Sequence, residues 1–196
     1  ITSRTRAIMA THTMGKPCEM DKIMDIAKRY GLFVIEDACE AHGAKFKDKF
    51  VGCWGDVATF SFYTAHMVVC GEGSMCSTAR SDVADILRST KSHGRRDGKK
   101  YFDFFRMGLN SKMTYLAAAI GLEGLEHYKA NVVQRNKNKK VLSSLLKNLS
   151  DIIVLPTKEE YEEVTPHAYP IVLRRDNAEQ LFSLYEHMES DGIQCK

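Results

Sequence analysis

The sequence predicts an α/β fold with a mostly parallel sheet, followed by a smaller α+β part, and three observations predict it. Short apolar runs alternate with segments of helical period. One run, Leu32-Phe33-Val34-Ile35, is continuously apolar, as strands covered on both faces of a parallel sheet are. Glycine or proline stands at the joints between the segments.

Ala7-Ile8-Met9-Ala10 forms the first strand, and Gly15, Lys16 and Pro17 separate it from a helix that begins near Glu19. In that helix Met20, Ile23, Met24 and Ala27 recur at intervals of three and four, which sets them on one face, and Gly31 closes it as a C-terminal cap. The strand from Leu32 leads into Glu36 and Asp37 at its carboxyl end. Ligands of open α/β sheets gather beyond such ends, so Asp37 is well placed for chemistry. A further strand at 57–62 delivers Ser61 and the residues up to His66 into the next loop, and Gly71, Glu72 and Gly73 allow a sharp turn.

Helical spacing returns at 82–91 and ends at Ser92-His93-Gly94-Arg95. An aromatic connection through Tyr101, Phe102, Phe104 and Phe105 follows and is expected to be mobile. Helix formers dominate from 113 to about 149, with Ala117-Ala118-Ala119 and later Val132, Val133, Val141, Leu142, Leu145 and Leu146. One long or kinked helix would bridge two domains, 1–124 and 125–196, with the boundary near Leu125. A strand at 169–173 and an amphipathic helix at 178–189 complete the smaller part.

With 44% hydrophobic and 27% charged residues among 196, the chain has the make-up of a globular protein. Its 28 basic and 25 acidic residues are spread along the sequence, and a net charge of +3 supplies no field of the kind nucleic acid requires. The densest basic runs, Arg95-Arg96 with Lys99-Lys100 and Lys137-Asn138-Lys139-Lys140, read as solvated faces. An anionic sugar nucleotide is the functional alternative for the first. Cys18, Cys39, Cys53, Cys70, Cys76 and Cys195 form neither a C-x-x-C pair nor a zinc spacing, so no metal site is expected and reduced, cytoplasmic thiols are. No run approaches the roughly 20 apolar residues of a membrane helix. The start, Ile1-Thr2-Ser3-Arg4-Thr5-Arg6, lacks a signal peptide's apolar core, and without a methionine it reads as an excerpt.

Taken singly, the polar candidates leave alternatives open. Asp37 is either a helix cap or a ligand to a cationic group. His42 either packs near a bound ring or fills a helix face. Ser61, at a strand end ahead of a glycine-containing loop, has the hydroxyl and neighbouring N–H donors that a phosphate monoester needs. Asn110 either serves a ligand or is a turn or cap residue.

Several motifs together carry a resemblance: Glu36-Asp37-Ala38-Cys39-Glu40-Ala41-His42-Gly43-Ala44, Gly55-Asp56-Val57-Ala58-Thr59-Phe60-Ser61-Phe62-Tyr63, Gly71-Glu72-Gly73 and Gly108-Leu109-Asn110-Ser111-Lys112-Met113. In order and spacing they resemble the DegT-type sugar-nucleotide aminotransferase and dehydratase family, with weaker support from Thr5-Arg6-Ala7-Ile8 and His167-Ala168-Tyr169. The resemblance implies a fragment of a pyridoxal-phosphate enzyme of the aspartate-aminotransferase type, fold type I. Residues 1–124 would be the C-terminal part of its cofactor-binding large domain, and 125–196 the bridging helix and part of the small C-terminal domain. It also implies a cytoplasmic homodimer with active sites at the subunit interface, acting in deoxysugar and polysaccharide biosynthesis. Asp37 would face the pyridine nitrogen, and Glu40 would lie near the cofactor ring at a position often occupied by Gln. Ser61 would hold the phosphate, and Asn110 would serve the neighbouring subunit's phosphate site.

The family's tethering lysine is replaced here, for the chain reads Ser61-Phe62-Tyr63-Thr64-Ala65-His66. An imidazole has no primary amine to condense with the cofactor's aldehyde, yet imidazoles are suited to moving protons near neutrality. The replacement is similar to that in the family's 3-dehydratases of nucleotide-linked 4-keto-6-deoxyhexoses. That branch implies pyridoxamine phosphate held without a covalent tether, His66 as acid and base, loss of the sugar's C3 hydroxyl, and glutamate as amino donor. Cluster ligation needs several thiolates, and residues 92–112 hold no cysteine, so no iron-sulfur cluster is expected. Two other readings stand beside it: a sugar aminotransferase whose lysine is substituted, and a cofactor-free protein used for association or regulation.

Overall fold

A computed structural model describes residues 1–96, 98, 101–174 and 178–195. Lys99 and Lys100 of the first basic run lie outside the described residues. By contact the chain divides into two compact units, residues 1–137 with 158–168 and residues 138–157 with 169–196.

The first unit is built on a four-stranded sheet. Its strands, in chain order, begin with β1 (Ala7–Thr11), after which helix α1 (Met20–Tyr30) leads to β2 (Phe33–Asp37). The short strands β3 (Lys45–Phe46) and β4 (Lys49–Phe50) pair with each other, and β5 (Val57–Ser61) and β6 (Ser74–Ser77) complete the main sheet in the order β1-β2-β5-β6. Strands β1, β2 and β5 are parallel and β6 runs antiparallel to β5. The register sets Thr11, Asp37 and Thr59 side by side at the carboxyl ends of the parallel strands.

Helix α1 forms where the apolar spacing requires it. Met20 and Ala27 are buried with Ala10, Val34 and Phe46, and Ile23 and Met24 pack against them. Asp21 in its first turn and Lys28 and Arg29 in its last turn oppose the helix dipole. Gly31 adopts the left-handed conformation at φ 62°, and the N–H of Leu32 then closes on the Ala27 carbonyl at 2.9 Å. A second apolar group, Ala38, Ala41, Ala44 and Val51 with Phe60, underlies the loop after β2.

Strand β2 departs from the expectation of a run covered on both faces. Val34 and Glu36 are buried whereas Ile35 and Asp37 are half-buried, so the strand alternates. Alternation is tolerated because buried Glu36 is fully partnered. Its carboxylate accepts N–H donors from Gly52 (2.8 Å), Trp54 (2.7 Å) and Gly55 (2.7 Å), and lies 3.1 Å from His12 Nε2.

After β6, helix α2 (Ser81–Thr90) ends near the expected position. The aromatic connection folds back on it: Arg96 N–H donates to Asp103 O, Phe105 N–H to Gly94 O and Leu109 N–H to Thr90 O. Arg95 lies over Phe102 at 4.3 Å and Arg96 over Phe105 at 4.2 Å, so guanidinium groups cover these exposed rings.

Helix α3 (Tyr115–Leu145) is a single long helix, and the division between the units falls within it. The boundary expected near Leu125 therefore lies inside the first unit, where Tyr128 of α3 donates its hydroxyl to the His42 carbonyl at 2.8 Å. The chain leaves that unit for β7 (Ile153–Val154), returns to it for β8 (Glu162–Glu163), which pairs with β3, and leaves again for β9 (Val172–Leu173) and α4 (Ala178–Ser190). In the second unit β7 pairs with β9, and Ser143 and Tyr169 share a hydroxyl bond of 3.0 Å.

Candidate active site

Three of the histidines meet beside the carboxyl ends of β2 and β5. His42 lies in the loop after β2, with its ring centroid 5.8 Å from Phe60, 5.9 Å from Phe62 and 6.2 Å from His66. Burial, together with the nearby His66 and His167, pushes the His42 imidazole down to about 4, partly offset by a bond to the Ser61 backbone. His42 is therefore neutral near pH 7. His66 lies in the loop after β5, where its N–H donates to the Tyr63 carbonyl at 3.0 Å. Its ring centroid is 5.1 Å from that of His167. His66 Nδ1 and His42 Nε2 are both buried without a hydrogen-bond partner among the described residues.

Asp37 ends β2. Its side chain accepts the Cys39 N–H at 3.2 Å, and its carbonyl accepts the His12 N–H at 3.0 Å. The cap-like turn and the strand-end position thus coexist in one residue. Glu40 accepts the Met14 N–H through Oε2, and its Oε1 lies 4.0 Å from His167 Nε2. Ser61 closes β5 opposite Ser74, and its Oγ accepts the Tyr63 N–H at 3.3 Å. The loop that follows is pinned by Phe62 N–H to Gly73 O at 2.9 Å and Cys70 N–H to Phe62 O at 2.8 Å. Asn110 stands apart on the exposed strip beside α2, bridged to Ser92.

The structure therefore brings His42 to His66 by ring contact and to Ser61 by hydrogen bond, and links Glu40 to the same group through His167. His167 itself was visible in the sequence only as part of a weak motif. It arrives because β8 pairs with β3 and because Gly15, at φ 80°, leaves room for the returning chain: a Cβ there would meet Thr165 O at 1.8 Å. Tyr128 is a second residue the sequence did not single out. Burial raises its phenol, so it stays a donor to the His42 carbonyl, and Gly43 at φ 74° leaves space for its hydroxyl.

Residues 1–196 match the DegT/DnrJ/EryC1/StrS aminotransferase family. The chain belongs to this family. It is 38% identical over 196 residues to GDP-perosamine synthase of Escherichia coli O157:H7, covering all of this chain and 52% of that protein. It is 31% identical over 217 residues to the dTDP-4-dehydro-2,6-dideoxy-D-glucose 3-dehydratase of Saccharopolyspora spinosa, covering 98% of this chain and 47% of that one. Among solved structures, the GDP-4-keto-6-deoxy-D-mannose-3-dehydratase of E. coli with bound hydrated pyridoxal phosphate superposes with a TM-score of 0.87 at 25% identity, covering 100% of this chain and 54% of that one. The fold is that of the type I pyridoxal-phosphate enzymes, and the cofactor to which the sequence motifs point is the one this solved relative holds. The chain spans about half the length of these relatives.

Proposed function

We propose that the protein is a 3-dehydratase of a nucleotide-linked 4-keto-6-deoxyhexose, using pyridoxamine or pyridoxal phosphate, with His66 as its acid and base. The observation that carries this reading is His66 itself: an imidazole in the position of the tethering lysine, with a buried Nδ1 that no described residue engages. Orphaned buried nitrogens on His66 and His42, whose rings lie 6.2 Å apart, with His42 bonded to the backbone of Ser61 at the end of β5, fit a polar aromatic ligand.

When bound, pyridoxamine phosphate supplies a primary amine for the sugar ketone and a ring that accepts electrons. The protein's residues do the rest. Asp37 holds the proton on the ring nitrogen through a charge-assisted hydrogen bond. Glu40 and His42 line the ring, and neutral His42 adds no cation beside it. Ser61 Oγ and the N–H groups of its loop hold the phosphate, with Asn110 given to the neighbouring subunit of a homodimer. His66 Nδ1 would take the proton released at the reacting carbon beside it and pass it to the departing C3 hydroxyl, which leaves the sugar as water. Glutamate would be the amino donor, no iron-sulfur cluster would take part, and the protein would work in the cytoplasm.

Transamination is the second reading, favoured by the 38% identity to a perosamine synthase. Incubating the intact protein with pyridoxamine phosphate, glutamate and 4-keto-6-deoxy sugar nucleotides separates the two by product mass. Loss of the C3 oxygen is the expected result, at least about 100-fold slower in His66→Asn than in the parent, the lower end of the range for a general acid–base. A 4-amino sugar that retains its C3 oxygen would replace this reading with transamination.

A further inference from the structure

We propose that Glu40 and His167 form a charge-bearing pair that keeps the His66 imidazole neutral, making His167 a positioning residue for position 66. The inference rests on the acid-base reading of His66 and concerns what prepares that group for its task.

Three imidazoles lie close together, His66 in the middle with His167 at 5.1 Å and His42 at 6.2 Å between ring centroids. Charging two neighbours at once is costly in a half-buried setting, so the cluster holds its first proton on one ring. Their surroundings decide which. His42 is buried and faces Phe60, Phe62 and the Ser61 backbone. His66 faces the two other imidazoles and the Tyr63 ring. His167 faces Glu40, whose Oε1 is 4.0 Å from Nε2. The proton therefore settles on His167.

The pair is held in place by the backbone. Met14 donates its N–H to Glu40 Oε2 and accepts the His167 N–H at 3.3 Å, so one residue fixes both partners. Thr165 N–H donates to Gly15 O at 3.1 Å, and Arg135 Nη1 donates to the carbonyls of Pro166 and His167. The Arg135 guanidinium opposes a second cation nearby and Glu40 favours it; the guanidinium is aimed at backbone carbonyls, whereas the carboxylate faces the ring. Tyr128 touches the cluster only through the His42 carbonyl.

The test is a 15N NMR titration of the intact protein carrying labelled histidine, in the parent, His167→Gln and Glu40→Gln. In the parent, His167 titrates at higher pH than His66. His167→Gln raises the His66 midpoint by about 1 pH unit because a neighbouring cation is gone, and Glu40→Gln lowers that of His167 by about as much. Should His167→Gln fail to fold, the Glu40→Gln shift decides alone. His66 titrating above His167 in the parent overturns the proposal, as do variant midpoints within about 0.3 units of the parent's. The midpoints are read without turnover, so failure here leaves the product-mass experiment to judge the dehydratase reading separately.

Discussion

Glu36 and Asp37 are adjacent acids with opposite fates. Glu36 is an internal anion: burial pushes its carboxyl up, but the bond to His12 and the N–H groups of Gly55, Gly52 and Trp54 outweigh burial and hold it below its usual value. The Cys18 N–H donates to His12 Nδ1 at 3.0 Å, which leaves Nε2 as the nitrogen that donates to Glu36. Glu36→Ala strands three N–H groups and one imidazole, and is expected to cost about 3–5 kcal/mol in urea unfolding. An unchanged midpoint and slope would contradict this account. Local sequence marks both residues only as acids at a strand end. Which of them points inward depends on donors sixteen to twenty-four residues away along the chain, and pattern alone does not reveal these.

Local chemistry sets most of the elements, and their bounds follow it closely. The spacing of Met20, Ile23, Met24 and Ala27 with Gly31 beyond is enough to define α1, since helix period and cap are both short-range properties. Strand β9 is shorter than the expected 169–173 run, and β6 was not foreseen at all. Both owe their existence to a partner strand, which local pattern does not supply. The return of residues 158–168 is of the same kind, and it depends on Gly15. Gly15→Ala would face a left-handed conformation and a clash with the Thr165 carbonyl, and is expected to lose at least about 2 kcal/mol of stability. Solvent exchange at the Thr165 and His167 amides measures the loss directly. Amides as protected as in the parent would show that the returning segment does not need this glycine.

For the whole molecule, two buried groups make stability depend on pH with the same sign. Glu36 has a folded value below its ordinary 4.5, so its contribution is complete above that pH and is lost as pH falls through the folded value. His42 is neutral when folded, at about 4 against an ordinary 6.5. Its unfolded form takes up a proton first, so its contribution is complete above about 6.5 and declines as pH falls toward 4. The melting temperature should fall progressively below about pH 6.5, and His42→Phe should remove the upper part of that fall. A melting temperature that rises on acidification below about pH 6.5 would contradict both assignments. The sequence by itself determined the alternation of strands and helices, the strand-end positions of Asp37 and Ser61, and the motifs that carry the family, because each is written within a few neighbouring residues. Only the tertiary structure decided that Glu36 is held inside by His12, that α3 packs Tyr128 onto the His42 loop, and that His42, His66 and His167 meet. Those contacts join segments far apart in the chain, and their approach is set by sheet register and by the space left at glycines.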